Sequence, residues 1–152
     1  MHTFSFCNAL HRVLARGETG PELVRGLFHA AMSIYVDRFL NIPGARLPSE
    51  QALENLPTAA DELRGAILSA LDQRKEWSEV PRLALRYLRL GHPEAMLMDA
   101  LTFATVREDL DFHSLQVLEA GFTQAEEWPP ASAERELLYA AISRHLAAHC
   151  PT

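Results

Sequence analysis

Four polar residues recur at helical spacing within a stretch that is otherwise apolar. They are Arg25, His29, Ser33 and Asp37. Each step is four residues, so in an α-helix the four side chains form a single stripe. An imidazole and a carboxylate on one helix face are both ligand types that bind divalent metals. His29 and Asp37 are therefore candidate metal ligands.

A second pair of the same kind lies in the C-terminal half. Asp109 and His113 are four residues apart, and Gln116 continues their face. Two helices that each present histidine and carboxylate to a bundle core form the general arrangement of carboxylate-bridged metal sites. We therefore predict a site for iron or another divalent metal built from His29, Asp37, Asp109 and His113. No Glu-x-x-His pair of the ferritin-like type occurs. The alternative is structural: His29 is a hydrogen-bonded core histidine, and Asp109–His113 is a surface pair.

The chain ends carry another set of metal-ligand residue types. Cys7 and His11 are four apart, as are His145 and His149, which Cys150 follows directly. Two such pairs would complete a tetrahedral zinc site if the terminal helices packed side by side. The alternative is that the helix dipole favours His145 and His149 near a helix C-terminus.

Arginines line one face of a predicted helix at 79–90, namely Arg82, Arg86 and Arg89, opposite an apolar face. Such a stripe binds an anionic ligand, an acidic partner or nucleic acid, or it is a solvated or ion-paired face. The net charge is −6 and no aromatic residues alternate with the arginines. We therefore predict no nucleic-acid binding.

The elements that must position these residues are six predicted helices, at about 3–16, 20–41, 58–75, 79–90, 93–127 and 132–149, with a short turn at 49–55. Thr19 and Glu22 have capping-box spacing around Pro21, and Ser132 can cap the last helix. Gly17 ends the first helix. The helix at 93–127 is unusually long, so we expect a bend near 107–111 or at Gly121.

The second helix, at about 20–41, is apolar nearly all round between Leu23 and Leu40. A helix of that kind belongs in the middle of a bundle. We therefore expect it to be the central helix, with the stripe of His29 and Asp37 buried in the core.

Composition agrees with a helical domain. Of 152 residues, 48% are hydrophobic; Leu (23) and Ala (22) far outnumber Val and Ile (10 together), a bias that favours helix. No apolar run reaches the roughly 18 residues that span a bilayer. Two isolated cysteines are not a disulfide framework, and no secretory signal is visible. We predict an all-α, single-domain bundle over 1–152, in the cytoplasm and without membrane contact.

Two segments resemble helical regions of bacterial proteins described as Rieske-type or questin-oxidase-like. They are FHAAMSIYVDRFLNIPGARLP (Phe28–Pro48) and REDLDFHSLQ (Arg107–Gln116). The resemblance covers about a third of the chain. It implies a helical domain in an oxygenase or redox setting, with His29, Asp109 and His113 in its distinctive segments. A Rieske cluster needs two Cys and two His on closely spaced loops, and Cys7 and Cys150 lie at opposite ends, so this chain does not hold such a cluster.

Two hypotheses about function follow. In the first, the helical domain holds a buried polar, metal-binding site for oxidative chemistry, alone or within a larger redox assembly or a longer protein. In the second, the chain is a non-catalytic helical interaction or oligomerisation module, a homo-oligomer for example, and the same polar residues make structural hydrogen bonds. Neither a substrate nor a reaction is indicated by the sequence.

Overall fold

The computed structural model describes residues 2–17, 19–40, 46–73, 77–108 and 112–150. Its helices are α1 (His2–Ala15), α2 (Pro21–Asp37), a short 3-10 helix (Glu50–Ala52), α3 (Ala60–Asp72), α4 (Glu79–Arg89), α5 (Glu94–Arg107), α6 (Phe112–Glu126) and α7 (Ala133–His149). Those residue ranges contain no strand. The predicted all-α fold is therefore confirmed.

The chain divides into two compact units, Met1–Ala45 and Arg46–Thr152, here called unit 1 and unit 2. Unit 1 contains α1 and α2, and unit 2 contains the 3-10 helix and α3 to α7. That the whole chain forms one domain stays a prediction.

In unit 1, α1 and α2 pack together through small residues of α2. Ala30 is buried, and a Cβ atom added to Gly26 would lie 3.1 Å from Cδ1 of Leu10 in α1. The turn between the helices contains Gly17 at φ 77°, a conformation that favours glycine. Pro21 begins α2 as predicted, but Gly20 is the N-cap residue and makes no side-chain cap bond. The predicted capping box at Thr19 is therefore wrong.

The prediction that α2 is buried on all sides is also wrong. Ala30 is the one buried residue of Pro21–Asp37, while Phe28 is 70% exposed. The physical reason lies in unit 1, where α2 has a single neighbouring helix, and one neighbour covers only one side of a helix. The even spread of apolar residues around α2 does not correspond to a buried environment.

In unit 2, α7 contacts each of the other four α-helices, α3 to α6. It is therefore the central helix of this bundle. The largest fully buried side chains of unit 2 are Tyr87, Tyr139, Leu53, Leu63, Ile67, Leu71, Leu83, Leu85, Leu97, Leu101, Ile142 and Leu146. The predicted cap of α7 is confirmed, since Ser132 Oγ accepts a hydrogen bond of 3.2 Å from the backbone N–H of Arg135.

The α6–α7 contact is close at one point. Gly121 is buried, and a Cβ atom added there would lie 2.4 Å from Cδ1 of Ile142. Real Cβ atoms do not approach so closely, so a side chain at position 121 would have to displace that of Ile142.

The stretch predicted as one long helix at 93–127 is two helices, α5 and α6. The first ends at Arg107, and Glu108 has extended backbone angles (φ −92°, ψ 157°). The break falls where a bend was expected, although residues 109–111 lie outside the described residues. Acidic residues follow the C-terminus of α5 in the sequence, where the helix dipole disfavours them, and precede α6, where it favours them.

Candidate functional site

The polar stripe of α2 lines a cleft within unit 1. His29, Ser33 and Asp37 border a cavity of about 300 Å³ together with Met32 and Val36 of α2 and Thr3 of α1. Arg25 instead forms an ion pair of 3.0 Å with Glu22. His29 and Asp37 are both exposed, which is contrary to the expected burial in a core.

The second predicted pair is described only in part. Asp109 lies outside the described residues, and His113 is half-buried at the start of α6. The ring of His113 lies 4.0 Å from the ring of Phe112, and its Nδ1 atom lies 3.4 Å from Oε1 of Gln116. The predicted shared face of His113 and Gln116 is confirmed by this contact.

The four predicted metal ligands are not brought together by any contact of the described residues. Within those residues, no group of three or more His, Cys, Asp or Glu side chains could hold a metal ion. His29 and Asp37 are eight residues apart, which separates them by about 12 Å along a helix axis. His113 belongs to the other unit. A metal site of His29, Asp37, Asp109 and His113 therefore stays a prediction.

The residues of the second metal candidate make other contacts. His145 and His149 share a face, as predicted, and their rings lie 4.2 Å apart. Nδ1 of His149 lies 2.7 Å from the carbonyl oxygen of His145, and Nε2 of His145 lies 3.2 Å from Oγ of the buried Ser114. Cys150 is buried, and this burial raises the pKa of its thiol. The negative charge of Glu108 raises the same pKa further, as a smaller contribution. A neutral thiol of this kind is a poor nucleophile and a poor metal ligand.

Two arginines of the predicted α4 stripe hold a neighbouring segment of unit 2. Arg82 donates from Nε and Nη2 to the carbonyl oxygen of Ala52, at 3.0 and 2.6 Å. Arg89 donates to Glu136 at 2.6 Å and to Glu50 at 2.5 Å, and the hydrogen bond to Glu136 raises the pKa of its guanidinium. The sequence left open whether the arginine stripe binds a ligand, faces water or forms ion pairs. Arg89 forms ion pairs.

A second charged cluster in unit 2 joins α5 to α7, and no pattern in the sequence indicated it. Arg135 donates from Nε and Nη2 to Oε2 of Glu94, at 2.9 and 2.6 Å, and the hydroxyl of Tyr139 donates to the same oxygen at 3.3 Å. Burial, together with the negative charge of Glu94, raises the pKa of Tyr139. Since Glu94 and Arg135 are 41 residues apart, no local spacing could have indicated their pairing.

A row of exposed apolar side chains runs along the side of α2 that faces mostly away from α1. It consists of Val24, Phe28, Ala31, Met32, Tyr35 and Phe39, here called the α2 stripe. All six residues are exposed. The steps between neighbouring turns are three or four residues, which keeps them on one side of the helix. The rings of Tyr35 and Phe39 lie 5.3 Å apart, which shows that the stripe continues past Asp37.

The position of the α2 stripe follows from the α1–α2 contact. Gly26 and Ala30 face α1, and each lies two residues, or about 200° of rotation, from Val24 and Phe28 respectively. Small residues thus pack against α1, and the large apolar residues lie on the opposite side, except that Met32 also borders the cleft with Thr3 of α1. The guanidinium of Arg38 lies beside this surface, 5.1 Å from the ring centre of Tyr35.

Comparisons with known proteins do not assign the chain to a family: no family model matches it, and neither does any curated protein or solved structure. The Rieske-type or questin-oxidase-like resemblance stays a prediction. Among the described residues, no helix is both long enough and apolar enough to cross a bilayer.

Proposed function

We propose that the chain is a helical oligomerisation module, in which the α2 stripe binds the α2 stripe of a second copy. The observation that carries this proposal is the exposure of large apolar side chains along the stripe, with Phe28 at 70% and Phe39 at 66%. It favours the second hypothesis from the sequence, in which function lies on an exposed apolar face. The polar residues of α2 then line a surface cleft and serve no buried site.

The extent of this surface argues for a protein partner. Its five large side chains expose about half or more of their surface, which adds up to roughly 600 Å². The largest apolar patch of an ordinary monomer is about 300–600 Å², and such patches are often functional. The area of the stripe is about three-quarters of the roughly 800 Å² that each partner buries in a standard interface.

A second copy fits this surface because its chemistry is the same along its whole length. An interface with two-fold symmetry uses the same patch on both molecules. A stripe without a charged residue is complementary to itself, since apolar side chains meet apolar side chains from end to end. Arg25 and Arg38 lie at its borders, where charged groups stay in contact with water.

The contacts of α4 support a further part of the proposal, that this helix does not bind nucleic acid. Arg82 and Arg89 already donate to Ala52, Glu50 and Glu136. Phosphate binding would have to replace these hydrogen bonds, and their loss would offset much of the free energy gained by binding phosphate.

The test is sedimentation equilibrium of the full chain and of two variants of α2. Phe28→Asp places a charge in the stripe, whereas Ile34→Asp places the same charge on an exposed residue (59%) about 60° of rotation beyond Ala31, outside the stripe. We expect a dimer for the unchanged chain and for Ile34→Asp. For Phe28→Asp we expect a dissociation constant raised at least about 30-fold, the effect of losing one central aromatic contact.

Two results would overturn the proposal. One is an unchanged chain that remains a monomer at high micromolar concentration. The other is a dimer that Phe28→Asp and Ile34→Asp weaken equally. Circular dichroism of both variants checks that the helices are retained.

A further inference from the structure

Residues 46–56, here called the strap, precede α3 in unit 2 and contain the 3-10 helix. In a 3-10 helix, residues three positions apart lie on the same side, and Glu50 and Leu53 have this spacing. The backbone N–H of Leu53 donates to the carbonyl oxygen of Glu50 at 2.9 Å and closes the turn. The strap therefore presents a carboxylate and a leucine side chain on one side.

Leu53 lies in an apolar groove between α4 and α7. Its side chain is 1% exposed and packs in a cluster with Leu85 of α4 and Ala140 of α7. This cluster is distinct from the larger core of unit 2, whose buried residues all lie between positions 63 and 150 and include none from the strap. Removal of the strap would therefore uncover the groove and leave the larger core in place.

Two arginines of α4 hold the strap through groups that other peptide segments also carry. Arg82 donates to the carbonyl oxygen of Ala52, a backbone atom that every residue has. Arg89 donates from Nη1 to the carboxylate of Glu50 at 2.5 Å, while its Nε and Nη2 atoms donate to Glu136 of α7. Since Glu136 fixes Arg89 without help from the strap, the guanidinium keeps its place when the strap leaves. Recognition therefore depends on an acidic residue and on a leucine three positions after it.

From these contacts we propose that the groove between α4 and α7 is a peptide-binding site, which the strap occupies in the free chain and from which a partner segment displaces it. The partner segment carries an acidic residue three positions before a leucine, in a turn like that of the strap. Charge favours such a segment, because the polar groups beside the groove are the guanidinium groups of Arg82 and Arg89. The proposal goes beyond self-association and is independent of the α2 stripe, which belongs to unit 1.

The strap is displaceable because few of its contacts are buried. Among residues 46–56, only Leu53 is fully buried. The side chain of Glu50 is 80% exposed, and exposed ion pairs contribute little stability. Segments with few buried contacts open locally at a lower free energy than the whole domain unfolds. The strap is nevertheless tethered beside the groove at a high effective concentration, so a free segment binds weakly as long as the strap is intact.

Binding of the strap sequence as a separate peptide tests the proposal. The probe is a fluorescent peptide of residues 46–58, RLPSEQALENLPT, and its anisotropy is measured against the full chain and variants of it. In Leu53→Ala, the strap of the chain loses its buried leucine side chain, whereas the peptide keeps it. The loss of a buried leucine shifts an equilibrium by more than about tenfold. We therefore expect the Kd of the peptide to be at least about tenfold lower for Leu53→Ala than for the unchanged chain.

Two further variants of the chain complete the series. Glu50→Ala changes an exposed side chain, so the helices are retained, and it should lower the Kd by about two- to fivefold because the strap loses its ion pair with Arg89. Glu54→Ala is the matched control: Glu54 is an exposed residue next to Leu53, and this variant should bind the peptide as the unchanged chain does. Circular dichroism checks the fold of each variant.

Three results would overturn the proposal. One is a peptide that binds none of the chains. The second is an equal Kd for the unchanged chain and for every folded variant of Leu53 and Glu50. The third is a peptide carrying Leu53→Asp that binds as tightly as the original peptide, since the groove would then not recognise the leucine.

Discussion

Replacing Gly121 by alanine tests the close α6–α7 contact in unit 2. The new Cβ atom would lie 2.4 and 2.5 Å from Cδ1 and Cγ1 of Ile142. Ile142 is only 1% exposed, so its side chain has no open space to enter. Overpacking of a core costs about 1–3 kcal/mol of folding free energy, whereas alanine gains up to about 1 kcal/mol over glycine in a helix.

Gly65 is the matched control for this substitution. It lies in α3 of the same unit, is exposed, and has no atom within 4 Å of an added Cβ. Gly65→Ala therefore gains the helix propensity without the clash and is expected to stabilise unit 2 by about 0.5–1 kcal/mol. Because the propensity contribution is common to both variants, their difference isolates the overpacking, which we expect to be about 1–3 kcal/mol.

The assay is urea unfolding followed by circular dichroism, with thermal unfolding as a second measure. For a chain of this size, about 1 kcal/mol corresponds to a shift of about 2–4 °C in Tm. The double variant Gly121→Ala/Ile142→Ala removes the clashing atoms. Its unfolding free energy should therefore be higher than the sum of the two single changes predicts. The reasoning is refuted if Gly121→Ala stabilises the protein as much as Gly65→Ala does.

Three further predictions concern unit 2. Arg135→Ala leaves the carboxylate of Glu94 without its two guanidinium hydrogen bonds and should lower the unfolding free energy by about 1–3 kcal/mol; no change in urea unfolding would show that the cluster contributes no stability. Burial raises the pKa of Tyr87 and of Tyr139, so both stay protonated in the folded protein while the unfolded chain ionises above about pH 10. The stability that these two tyrosines contribute is therefore fully present below about pH 10 and is lost as the pH rises above it, and the double variant Tyr87→Phe/Tyr139→Phe should show a smaller fall in the unfolding free energy between pH 9 and 11. Arg82→Ala removes both hydrogen bonds to the carbonyl of Ala52 and should speed proteolysis within residues 46–59 roughly tenfold, whereas an unchanged rate would mean that Arg82 does not hold this segment.

Local sequence patterns predicted the helices well. Ser132 caps α7, Pro21 begins α2, and Gly17, predicted to end the first helix, lies just after α1 with a positive φ, because these residue types act on the backbone within one helical turn. The break between α5 and α6 was anticipated as a bend, although the separation into two helices was not.

Whether a helix face is buried or exposed was harder to predict than the secondary structure. The apolar sequence of α2 indicated the centre of a bundle, yet α2 exposes Phe28 and Phe39. Periodicity identifies which residues share a helix face, but it does not say whether another element covers that face. The two apolar sides of α2 therefore had different outcomes: the side with Gly26 and Ala30 is packed on α1, and the α2 stripe is exposed.

The sequence by itself determined the helical class and the spacing of the α2 stripe, because both depend on residues within a few turns of one another. Only the tertiary structure decided that α7 is the central helix of unit 2 and that Arg135 meets Glu94. It also decided that Gly121 lies against Ile142. These contacts join residues 21 or more positions apart, and they exist because several helices bury their apolar faces together. That collective outcome is not encoded in the spacing of any single segment.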